Sequence, residues 1–165
     1  MRIIDMKETT LWLSKRNLLD SAGKVAPTGF FKALDSQIPS DSGHKTALSR
    51  VIASFFENDD EALLWIHEFG IWPSSEDWHL FEALRQSLGE QSTLSDKPGH
   101  LFSSSDLTAV RSLVALVLYF IWGAILYSPA TGLVVKISHD EFLSVYVRDR
   151  KDASNVTDSL KKFLR

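Results

Sequence analysis

The sequence contains no cysteine. That excludes disulfide staples, thiolate metal sites and a cysteine nucleophile, and leaves core packing to hold the chain together. Methionine and proline are scarce, two and five in 165 residues, so neither a methionine-rich adaptable surface nor a proline-rich linker is present. Basic charge is not in excess, because 18 Lys and Arg face 21 Asp and Glu for a net charge of −3. The basic residues are scattered; the clusters are Lys15-Arg16 and Arg148–Lys151, and Asp149 interrupts the second. A protein that grips nucleic-acid phosphates carries a basic stripe, so no nucleic-acid partner is expected. Long apolar runs are missing too. The longest, Leu113–Tyr127, stops short of the roughly 20 residues a membrane span requires, and no membrane partner is expected. Met1–Glu8 has no apolar stretch of the length of a secretory signal and carries acids, which points to the cytoplasm.

What is present is an ordinary globular composition, 44% apolar and 24% charged, long enough to bury a core. The Leu113–Tyr127 run organises the rest. Ser103–Asp106 before it supplies short side-chain oxygens for a helix start, and Ser128–Gly132 after it is dense in turn formers. The run therefore divides into a helix of about Asp106–Phe120, with Leu116 in the core, and a strand of about Trp122–Tyr127. A second strand is expected over Leu133–Ile137.

Elsewhere, helical spacing predicts helices over Glu8–Ser21, Lys45–Phe56 and Glu76–Leu88. The first has Leu11, Trp12, Lys15 and Leu19 near one face. The last has Leu80, Phe81, Leu84 and Leu88 as its buried stripe. Short strands are expected over Gly29–Leu34 and Ala62–Ile66. The pattern Ser138-His139-Asp140-Glu141 resembles a capping box and predicts a helix to Arg148, although the β-branched and aromatic run Phe142–Val147 also reads as a third strand. Residues 1–150 read as one globular domain and 151–165 as a polar linker with a short C-terminal helix or tail. Together these give an α/β, single-domain layered fold with a small mixed β-sheet covered by helices; an α+β layout is the alternative.

If the strands near 29–34, 62–66 and 133–137 run the same way, the loops leaving them gather at one edge, where open α/β sheets bind ligands. Those loops carry His44 and Lys45, then Ser74, Ser75, Glu76 and His79, then His139, Asp140 and Glu141. Histidine beside carboxylates has the chemistry of a general base, with His139 as base and Asp140 or Glu141 orienting it. Gly43, His44 and Lys45 at a helix start form a candidate anion site, although the spacing fails the G-x-x-x-x-G-K-[ST] phosphate loop. Trp72, Ser74, Ser75, Glu76, Trp78 and His79 form a candidate binding surface, because tryptophans around a proline loop supply contact energy if they stay exposed. His67 reads as a satisfied core or edge histidine. No H-x-x-x-H or H-E-x-x-H spacing occurs, so no metal is expected, and nothing implies a cofactor.

These observations favour a small cytoplasmic macromolecule-binding protein, of the adaptor or immunity kind, with another protein as partner. The second reading is a hydrolase-type enzyme with His139, Asp140 or Glu141 at the centre and His79 and Glu76 lining the pocket.

Overall fold

The computed structural model describes residues 1–69 and 78–164. In chain order the elements are β1 (Arg2–Ile4), α1 (Met6–Ser14), β2 (Phe31–Gln37), α2 (Ser42–Ser54), β3 (Ala62–Glu68), α3 (Trp78–Ser87), β4 (Gly99–Phe102), α4 (Leu107–Phe120), β5 (Gly123–Ser128), β6 (Leu133–Ile137), β7 (Phe142–Val147) and α5 (Arg150–Lys161). The central apolar run divides as expected into α4 and β5. Ile121 makes the switch with φ of 54°, and the N–H of Trp122 bonds back to the Val117 carbonyl at 3.0 Å. A β-branched residue is strained in that conformation. What pins the junction is Trp122, fully buried, with ring centroids 5.1 Å from Phe81 and 5.2 Å from Phe120.

One sheet of seven strands, ordered β1-β4-β3-β5-β6-β7-β2, carries helices on both faces. This is the layered α/β arrangement expected, with every pairing antiparallel rather than mixed. Tight turns join β5, β6 and β7 into a meander, and short turns of that kind join only opposed strands. Side chains alternate between the two faces. Leu64, Ile66, Leu126, Val135 and Val145 face a large core shared with α2, α3, α4 and α5. Leu63, Ile125, Tyr127 and Val134 face a smaller one closed by Trp12 and Leu13 of α1 and by Leu18.

β2, β3 and β6 are each separated by one opposed strand, β7 or β5, so all three run in the same direction and their C-terminal ends share one edge. The common direction foreseen for these three strands therefore holds without parallel neighbours. β3 carries one irregularity, a register shift between Ile66 and Glu68 that brings Glu68 opposite Gly123. A Cβ at position 123 would run into the Glu68 side chain, so the close approach requires glycine.

Several expectations are corrected. Residues Phe142–Val147 form β7, not a helix, because Ser138–Glu141 folds into a hairpin turn. Glu141 there has φ of 65°, and the Ser138 N–H bonds to the Phe142 carbonyl at 2.8 Å. The β-branched run outweighs the cap-like pattern before it. In α1 the buried residues are Thr9, Trp12 and Leu13, while Leu11 is exposed. Leu116 is only partly buried; Leu113, Val114, Val117 and Leu118 are the core residues of α4. α5 already begins at Arg150, where a linker was expected, and docks on β2 by burying Leu160 and donating from Thr157 Oγ1 to the Ala33 carbonyl at 3.1 Å. Among the described residues no helix is long and apolar enough to cross a membrane.

Candidate functional site

At the shared edge, the end of β3 meets the turn after β6. His139 Nδ1 lies 2.9 Å from Glu68 Oε2, and His139 Nε2 lies 3.5 Å from Asp140 Oδ1. The turn is held by the Asp140 N–H donating to Ser138 Oγ at 3.1 Å. His67, beside Glu68, places Nδ1 3.8 Å from Glu68 Oε1. The structure thus brings His139 and Asp140 together with Glu68, which sequence reasoning missed. Among the described residues no hydrogen bond or ion pair joins Glu141 or His79 to this group, and both are exposed. No three His, Asp or Glu side chains there are placed to hold a metal ion.

The electrostatics follow from the contacts. The Glu68 hydrogen bond chiefly raises the His139 pKa; burial opposes it, and the charges of Glu68 and then Asp140 add to the rise. Burial alone would push Glu68 up; the His139 hydrogen bond and the neighbouring His67, His139 and Lys136 outweigh it and hold Glu68 below the usual carboxylate range. A carboxylate on the side of each ring nitrogen favours the charged form of His139.

The anion candidate is arranged as a cap. Asp41 Oδ1 accepts from the His44 N–H at 2.9 Å, and its Oδ2 lies 2.7 Å from His44 Nδ1. A carboxylate thus occupies the helix start that would have received an anion. Lys45 is 8% exposed and its ammonium stands 5.9 Å from the Tyr119 ring, while the Tyr119 hydroxyl donates to the Ser42 carbonyl at 3.1 Å. Trp72, Ser74, Ser75 and Glu76 lie outside the described residues, as does the side chain of Trp78, whose backbone opens α3.

Two further surfaces stand out among the described residues. On α3 the expected buried stripe is only partly buried: Phe81 is enclosed and Leu84 packs on the core, but Leu80 and Leu88 are 48% and 41% exposed. Positions 80 and 84 follow one ridge of the helix, and Leu88, one residue past its end, continues that line because its N–H still bonds to the Leu84 carbonyl at 3.2 Å. On the opposite face of the sheet, a cavity of about 380 Å³ lies between residues 23–25 and the side chains of Trp65, His67, Glu68, Ile125 and Lys136. Trp65 pairs in register with Ile125, and Ile125 with Lys136, so one row across three strands forms its floor. Asp20 ties down the other wall by accepting from the N–H groups of Ala22 at 2.8 Å and Lys24 at 2.9 Å. The signal for this floor was in the sequence as alternation, since positions 65 and 67 are two apart on one strand. Only the register could place Lys136 beside them.

Comparison with family models, curated proteins and solved structures gives no match to this chain.

Proposed function

We propose that the chain is a small cytoplasmic protein-binding module of the adaptor or immunity kind, with no assignable catalytic activity. The observation that carries this reading is the leucine ridge of α3. Single exposed apolar residues are common on protein surfaces. A row at i, i+4 and i+8 with its outer members 48% and 41% exposed is the pattern that a partner groove or helix takes up. His79 is exposed beside it, and the ridge adjoins in sequence the tryptophan-bearing stretch marked as a recognition surface. Weighing against the hydrolase alternative is His139, whose two nitrogens both face carboxylates.

The test is capture of partners from a lysate of the source cells by the wild-type chain and by the Leu80→Asp, Leu88→Asp double variant. Both positions are exposed, so the variant should keep its melting temperature. One stoichiometric protein retained by the wild type and lost by the variant is the expected result. Retention by both would remove α3 as the binding face, and an empty wild-type capture would remove the binding reading.

A further inference from the structure

We propose that the cavity on the second face of the sheet, floored by Trp65, Ile125 and Lys136, is a binding site for a small hydroxycarboxylate. This goes beyond the protein-binding reading, since the site lies on the sheet face opposite α3 and has its own ligand.

Four observations combine. The volume of about 380 Å³ is within the range that encloses a small organic ligand. The wall at 23–25 is preformed: Asp20 holds it by two side-chain hydrogen bonds, a bridge pairs Leu19 with Val25, and Gly23 takes the positive φ of 72° that the turn needs. The charge balance favours an anion. Among the described residues of the lining, Lys24 and Lys136 contribute two ammoniums, whereas the one carboxylate, Glu68, is already engaged by His139.

The fourth observation is a pair of orphaned polar atoms. Trp65 Nε1 and His67 Nε2 are shut off from solvent and have no hydrogen-bond partner among the described residues, and the two rings lie against each other with centroids 5.1 Å apart. Buried polar atoms left in that state are costly, and native proteins rarely keep them without a use. Their chemistry specifies the ligand. The indole N–H is a donor only and calls for an anionic oxygen. The Glu68 carboxylate, 3.8 Å from His67 Nδ1, favours the tautomer with its proton on that nitrogen, which leaves Nε2 as an acceptor for a hydroxyl. Because both atoms are closed off from solvent, binding is coupled to a small turn of the two rings toward the ligand. Ile125 and Val25 supply apolar contact for its body.

The experiment is titration of the full chain, followed by the indole N–H resonance of Trp65, assigned with Trp65→Phe. The probes are lactate, malate and 4-hydroxyphenylacetate, with phenylacetate lacking the hydroxyl and tyramine carrying the opposite charge. At least one hydroxycarboxylate should shift the Trp65 signal saturably with a Kd of about 1 mM or tighter. Removal of the hydroxyl should weaken 4-hydroxyphenylacetate, if it binds, by about tenfold, as should Lys136→Gln for whichever probe binds. Lys136 is exposed, so that variant keeps the fold. No saturable shift with any of the three would show a solvent-filled pocket only and overturn the proposal. Equal affinity in Lys136→Gln, or equal binding of tyramine, would overturn the assigned chemistry.

Discussion

His139 and Glu68 are partly exposed, and their contact raises the His139 pKa chiefly through the hydrogen bond at 2.9 Å. A raised folded-state pKa gives stability that is fully present below the unfolded value and is lost as pH rises through the folded one. For a pair this exposed the amount is about 0.2–1 kcal/mol. Glu68→Gln should therefore lower the urea midpoint near pH 6 and converge with the wild type near pH 9. His100 behaves in the opposite sense. It is fully buried; burial first, and then the Arg85 charge, lower its pKa to about 3. The unfolded chain takes up that proton near its ordinary value of about 6.5 while the folded chain does not, so stability falls as pH drops from there toward 3. His100→Leu should flatten this acid slope, which reaches at most about 1.4 kcal/mol per pH unit for one proton. Urea titrations between pH 4 and 9 read both effects, and an unchanged acid slope in His100→Leu would place the proton uptake elsewhere.

At the scale of elements, α4 distinguishes two leucines that look alike in the sequence. Leu113 is fully buried and Leu116 partly so, and both pack on the same core. Leu113→Ala should cost about 2–5 kcal/mol and Leu116→Ala clearly less, measured by denaturant unfolding. Equal losses would mean that α4 is rotated relative to the sheet. The α4–β5–β6 stretch was legible because a long apolar run is cut by unambiguous turn formers on both sides. The segment after β6 misled because Ser138 and Glu141 mimic a capping box, yet Glu141 adopts the left-handed conformation that closes a hairpin. β1 and β4, of three and four residues, are too short to show a period. The partner of His139 escaped for a related reason. Ending β3 at Ile66 left Glu68 in no element, and only the register shift opposite Gly123 brings it to the edge. Cap geometry at Asp41 was readable, since an acid three residues before His44 is a local feature.

Across the whole molecule, the sheet order puts β5 and β6 between neighbours on both sides, whereas β1 and β2 each pair along one side only. Opening should therefore begin at the margins. Native-state hydrogen exchange should find the slowest amides in β5 and β6 and fast exchange in β1 and along the unpaired side of β2; protection of β1 equal to that of β6 would contradict this ordering. The closing contacts of the margins also span most of the chain. Arg2 pairs with Leu101, and Asp35 accepts from Ser144, 109 residues away. The meander of β5, β6 and β7 needs only short turns, so it closes at little entropic cost and the far pairings come at a higher one. On the ribosome this order is awkward, because β1 and β2 emerge well before their partners β4 and β7. Until β4 and β7 have been synthesised, the growing chain carries two strands with nothing to pair with, an interval in which a holding chaperone would have most to do.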